Sequence, residues 1–292
     1  MNKKNILKKI SIISAIILLM VVLTGCAIPK DPVTGEPIYI TLDTTFKEVS
    51  ENGGIFDLLL TYPLAQAINF TSKYLGVFGG ITLVTLVINL ILLVFTFKSN
   101  VSMQKMQMMQ PELEKIQKKY EGNDSQAAKA QMAQEMQRLY DKNGVNPLSA
   151  LSSFVQLPIF FCMYAAVNRS YAVAHGTFMK ASLALTPREA IANGQVVLIV
   201  IYVCMIIFQL ISTTFPQFIS NQKRKRLAKI QHKPYTKPQN QNAFMMYGMV
   251  VMIGFVMISW PTALSLYYAV VSIINILKTL IVEVIMQKKE QN

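Results

Sequence analysis

Charge is scarce in this 292-residue chain: Asp, Glu, Lys and Arg make up 15 % of it, against 52 % hydrophobic residues. Soluble domains carry about 25 % charge, so the composition excludes an ordinary water-soluble globule and indicates an integral membrane protein. Cysteine is almost missing. Of Cys26, Cys162 and Cys204, the last two sit in apolar runs, which excludes a disulfide framework or a Cys-x-x-Cys site and leaves small apolar packing as their role. The two histidines, His175 and His232, fall in different loops with no ligand-like neighbours, so neither a metal nor any other cofactor is expected. No nucleophile–base pair and no phosphate-cradling loop is present, which argues against an enzyme. Acids are outnumbered 15 to 28, giving a net charge of +13. Such an excess suits nucleic acid, but here the basic residues flank apolar runs, the pattern that orients membrane spans.

Those runs predict an all-α fold with five transmembrane helices, at about 77–97, 147–167, 195–215, 243–259 and 262–285. Between the first two, residues 98–146 carry eight Lys/Arg and six Asp/Glu. Met106, Met109, Leu113, Ile116 and Tyr120 form a heptad seam, Glu121 to Ser125 break it, and Ala128, Met132, Met136 and Leu139 supply a second stripe. This predicts an antiparallel coiled-coil hairpin. Its methionines, Met108 included, either fill the seam or offer an adaptable surface to apolar polypeptide. The 216–242 loop holds Lys223, Arg224, Lys225, Arg226, Lys229, Lys233 and Lys237 and no acid. These charges set topology, or meet anionic lipid or ribosomal RNA together with the 286–292 tail.

At the N-terminus, Lys3, Lys4, Lys8 and Lys9 precede an apolar run that ends in Leu23-Thr24-Gly25-Cys26. The run reads as a signal peptide over 1–25. The tetrapeptide resembles the bacterial lipoprotein box, which implies acylation of Cys26, with palmitate among the acyl chains, and an anchor on the outer face. Residues 26–54, with Pro29, Pro32, Pro37 and Gly53-Gly54, predict an extended extracytoplasmic linker. Residues 55–75 predict an amphipathic interfacial helix bent at Pro63, with Gln66, Asn69, Thr71 and Lys73 opposite its apolar face. The basic loops place 98–146 and 216–242 in the cytoplasm, and Cys26 outside agrees with them. The 76–285 core then ends with a cytoplasmic C-terminus.

Within the spans, polar residues keep to faces. Thr82, Thr85, Asn89 and Thr96 share one side of the first span, with Asn89 near its middle. Ser149, Ser152, Ser153 and Gln156 line up in the second, Tyr202, Gln209 and Thr213 in the third, and Ser265, Tyr268, Ser272, Asn275 and Thr279 in the fifth. Asn89 alone suits helix–helix hydrogen bonding, but with Gln156 and Gln209 the pattern points to a hydrated intramembrane groove. No Asp, Glu or Arg lies mid-span, and Lys278 and Glu283, near the cytoplasmic end, are expected to snorkel outward.

The order of these parts resembles the YidC/Oxa/Alb membrane-protein insertases. The resemblance rests on Asn146-Pro147-Leu148, Gln156-Leu157-Pro158-Ile159-Phe160-Phe161 and Tyr164. Supporting it are Ser102-Met103, Met109-Gln110-Pro111-Glu112-Leu113, Lys119-Tyr120, Glu135-Met136, Leu139-Tyr140, Pro261 and Leu266-Tyr267. It implies a groove along which apolar segments of nascent membrane proteins slide into lipid, with the protein acting alone or beside the Sec translocon, as insertase and chaperone. The family's first-span arginine, thought to attract acidic substrate tails, aligns with Asn89, so a divergent paralogue with weaker dependence on substrate acidity is expected. A specialised assembly factor without general insertase activity is the alternative. A small-solute transporter is a further one, disfavoured by the absence of internal repeats and of an ionisable coupling site. No small-molecule substrate is expected.

Overall fold

The computed structural model describes residues 28–52, 54–146, 149, 156–230, 232 and 243–291. Cys26, Ser152, Ser153, Lys233 and Lys237 lie outside the described residues. The described chain is mostly helical and contains isolated β-bridges but no strand. Its helices are α1 (Phe46–Asn52), α2 (Tyr62–Lys119), α3 (Gln126–Lys142), α4 (Gln156–Arg169), α5 (Tyr171–His175), α6 (Pro187–Ala192), α7 (Val196–Ile230), α8 (Ala243–Met257) and α9 (Thr262–Gln291). Among the described residues, three helices, over Asp57–Lys119, Val196–Ile230 and Thr262–Lys288, are long and apolar enough to cross a membrane, and Met246–Met257 is a shorter apolar helix.

Several element boundaries differ from the sequence reading. The 26–54 linker is not wholly extended: it holds α1 and a turn in which Asp31 Oδ1 accepts from Val33 N and Thr34 N. The helix expected over 55–75 begins with a π-helical turn at Asp57–Thr61, and Pro63 stands in the first turn of α2. A break comes at Gly76, with φ 68° and ψ 170°, a backbone region that glycine alone adopts freely. Beyond it, α2 runs without interruption from the first span into the hairpin. Residues 216–230, expected as loop, continue α7 through Pro216, so Lys223 to Arg226 stand on a helix.

The chain divides into two compact units. The first takes in residues 28–85, 156–203 and 256–267. Its polar groups are buried and laced together. Asn69, expected to face water, is 4 % exposed: its Nδ2 donates to Ile40 O at 2.6 Å, and its Oδ1 accepts from Ser170 Oγ at 2.7 Å and Ala172 N at 3.0 Å. Gln66 and Tyr62 donate to the carbonyls of Thr41 and Thr44. Tyr62, Gln66 and Asn69, at i, i+4 and i+7, thereby bind one side of α2 to the preceding linker. Arg169 and Asp57, 3.1 Å apart, form an ion pair with each side chain 1 % exposed. The α8–α9 turn is held by the loop before α6: Thr262 Oγ1 donates to Leu185 O, Ala263 N to Leu183 O, and Trp260 stacks on Phe160.

The second unit takes in the described residues of 86–153, 204–255 and 268–291. Its packing is inverted relative to a soluble protein. Val94, Phe95 and Phe255 are 77 %, 79 % and 78 % exposed, while Asn89, Gln104, Ser220, Ser272 and Glu283 are buried. Large exposed apolar surfaces on water are unfavourable, whereas hydrocarbon tolerates them and requires polar groups to turn inward. In the hairpin, Lys119 bonds Glu135 near the turn and Lys105 bonds the carbonyl of Asn143 at the far end, so α3 returns antiparallel to α2.

Candidate functional site

The buried polar groups of the second unit form a ladder along α9. At one level Ser272 Oγ donates to Gln209 Oε1 at 2.6 Å. Six residues on, Lys278 Nζ donates to Asn89 Oδ1 at 3.2 Å. Five further, Glu283 accepts from Gln104 Nε2 at 2.8 Å and Gln287 Nε2 at 3.0 Å, and lies 3.7 Å from Lys223 Nζ. At 1.5 Å rise per residue the ladder is roughly 16 Å long. Beside it opens a recess of about 280 Å³, lined by Gln104, Gln107, Gln209, Thr213, Asn275 and Lys278 among others. That is room for several waters, with polar partners to hold them.

Lys278 is the residue that sequence reasoning placed wrongly. It was expected to extend toward the end of its helix. Its four-carbon stem carries the ammonium instead to the amide at the middle of the predicted first span. The loss of positive charge inferred from Asn89 therefore does not hold, because a cation from α9 stands against that amide.

The other expected groove residues divide. Thr82 and Thr85 donate to carbonyls one turn back in α2, at Phe78 and Ile81, the usual local outlet for a helical hydroxyl in an apolar setting. Gln156 Nε2 donates to Tyr267 OH at 3.3 Å, and Ser265 Oγ is buried without a hydrogen-bond partner; all three belong to the first unit. Ser149 and Tyr268 are half-buried members of the second. Of the polar-face residues expected from the sequence, Gln209, Thr213, Asn275 and Thr279 line the recess.

On the hairpin, Met109 is buried and Met106, Met108, Met132 and Met136 are half-buried. Lys119 and Tyr120 both donate to Glu135. That pairing holds the Glu135 carboxyl below its usual range and Lys119 above its own. Of the four basic residues on α7, Lys223 pairs with Glu283, and Arg224 donates to Gln107 O and Ser220 Oγ. Lys225 and Arg226 are exposed. Asp57 and Arg169 were missed altogether. Their signal was available: an acid within an apolar helix and an arginine at the end of an apolar run each require a partner.

A family profile described as "60Kd inner membrane protein" matches residues 70–290. The chain belongs to this family. It is 31 % identical over 272 residues to membrane protein insertase YidC 2 of Bacillus anthracis, covering 92 % of this chain and 91 % of that one. It is 29 % identical over 289 residues to membrane protein insertase YidC of Oceanobacillus iheyensis, covering 97 % and 99 %. A crystal structure of an active YidC insertase with its first transmembrane domain resolved shares the fold at a TM-score of 0.52 and 24 % identity. The match covers 77 % of this chain, which spans 46 % of that longer one.

Proposed function

We infer that this protein is a membrane protein insertase that moves hydrophobic segments of newly made proteins from the cytoplasm into the bacterial plasma membrane. The observation that carries this reading is the polar recess among helices whose outer surfaces are apolar. A segment entering a bilayer must bring polar flanks and an unpaired backbone through hydrocarbon, at several kcal/mol per unsatisfied group. A hydrated recess lowers that barrier, and the apolar part of the client leaves sideways into lipid.

In this account five helices span the membrane, with Cys26 lipid-anchored outside and the C-terminus inside. Thr82, Thr85, Asn89, Ser149, Ser152, Ser153, Gln156, Gln209, Ser265, Tyr268 and Ser272 belong to the substrate path. The α2–α3 hairpin, packed as a coiled coil, receives clients in the cytoplasm, where its methionines adapt to varied apolar segments. Lys225 and Arg226, exposed on α7, meet the ribosome or anionic lipid. The protein works alone or beside the Sec translocon and carries out no covalent chemistry.

The test is rescue of a strain depleted of its essential insertase. The native chain is expected to rescue growth, and Asn89→Arg to rescue less well, because it sets a second cation beside Lys278. Rescue by Asn89→Arg alone would favour a specialised assembly factor. Failure of both, with the protein present in the membrane, would overturn the insertase reading.

A further inference from the structure

The root of the hairpin carries a proline. Pro111 lies inside α2, which continues through it. In a helix the carbonyl of residue 107 accepts from the N–H of residue 111. Proline has no N–H, so Gln107 O loses its helical donor and α2 is weakened at that turn. Arg224 of α7 supplies a donor from outside the helix. Its Nη2 bonds Gln107 O, and it is steadied by Ser220 Oγ at 3.2 Å, on a serine 1 % exposed. A guanidinium on a carbonyl is a charge-assisted bond, stronger than the neutral one the proline removed.

The returning leg has a weak point at the same level. α3 ends at Lys142, and Gly144 follows with φ 59°, a conformation that costs glycine little. Lys105 Nζ donates to Asn143 O, which sets this end beside the turn of α2 that precedes Gln107. On the membrane side of that level the root is fastened. Gln104, 6 % exposed, donates to Glu283 of α9 at 2.8 Å, and Lys223 stands 3.7 Å from the same carboxylate. Both legs are thus interrupted just beyond a fixed base.

We propose that the hairpin pivots at Pro111 on one leg and at Asn143 and Gly144 on the other, and that Arg224 locks the pivot. Arg224 is a positioning residue: it sets the angle of the hairpin by replacing the hydrogen bond that Pro111 lacks. Gln104 and Gln107 line the recess, so the angle also shapes the recess wall. The consequence for insertion rests on the insertase reading and adds a controlled movement to it.

The test uses full-length protein in vesicles of phosphatidylethanolamine and phosphatidylglycerol. Spin labels are placed at Ala130 of α3 and Gln222 of α7, both exposed, in a chain carrying Cys162→Ala and Cys204→Ala. The Arg224-bearing protein is expected to give one narrow distance distribution. Arg224→Gln should broaden it, raising the displaced fraction about tenfold, the order for losing one hydrogen bond to a charged group. Pro111→Ala returns the N–H to α2 and should stay narrow. Arg224→Gln added to Pro111→Ala should then change nothing. Pro111→Leu supplies the same N–H and serves where Pro111→Ala fails to accumulate. A contact that merely braces the hairpin would broaden equally with and without Pro111, and that result would overturn the proposal, as would an unchanged distribution in Arg224→Gln. Insertion of a single-span client is measured on the same vesicles. Pro111→Ala, folded but without its pivot, should insert the client several-fold more slowly, and an unchanged rate would overturn the proposal. Native protein that inserts no client, with the distance changes as expected, would overturn the insertase reading and leave the lock standing.

Discussion

Asp57 and Arg169 show how much can depend on a single buried pair. Each side chain is 1 % exposed and the charged atoms lie 3.1 Å apart. Arg169 Nε also donates to Ile38 O, while Asp57 Oδ1 makes no hydrogen bond. Removing one partner leaves the other charge without compensation, a loss of roughly 3–5 kcal/mol, whereas replacing both by apolar residues is often close to neutral. Asp57→Leu and Arg169→Leu are each expected to lower the unfolding temperature of the detergent-solubilised protein, and the double variant to regain most of the loss. Additive losses in the double variant would contradict the pairing. Lys278 illustrates a different lesson. A lysine stem reaches in several directions, and the direction taken is set by an amide 189 residues away in the chain, which local sequence does not specify.

At the scale of elements, the hairpin depends on contacts that respond to pH. Glu135 accepts from Lys119 and Tyr120, and its carboxyl is lowered from 4.5 chiefly by the Lys119 bond. Lys119 is raised from 10.5, chiefly by the same bond. A lowered acid contributes stability that is present above pH 4.5 and is lost as pH falls through its folded value. A raised base contributes stability that is present below pH 10.5 and is lost as pH rises through its folded value. Spin labels on α2 and α3 should therefore report a constant separation between those limits and a widening outside both, absent in Glu135→Gln. The effect is small because both groups are solvated. A separation that changed near neutrality would contradict this assignment. Gly76 belongs to the same scale. The Cβ of an added side chain there would meet no atom within 4 Å, so the demand for glycine comes from the backbone alone and marks where α2 changes direction.

Across the whole molecule, what was legible in the sequence follows from periodicity and breakers. Apolar runs located α2, α7, α8 and α9. The Glu121 to Ser125 break separated α2 from α3, with Ser125 capping α3 by accepting from Ala128 N. What was not legible depended on partners distant in the chain. The stripe of Gln66 and Asn69 looked solvent-facing because nothing local shows that residues 38–44 return to cover it. Pro216 looked like a terminus, yet α7 continues because a proline removes one helical hydrogen bond without forbidding the turns beyond it. The site was half legible: Gln209, Thr213, Asn275 and Thr279 of the polar faces line the recess, but hydroxyls bond carbonyls of their own helix at Thr82, Thr85 and Thr213. The recess takes its charge from a lysine read as peripheral.

The central claim is that this chain, through its own polar recess, brings a hydrophobic segment into a bilayer. The most direct measurement is made on purified protein in vesicles containing no other protein, with a single-span client added from a translation extract and protease applied from outside. The account predicts a protected fragment the length of the client's span and translocated tail, present with the protein and absent from empty vesicles. A folded, correctly oriented protein that yields no protected fragment would contradict it.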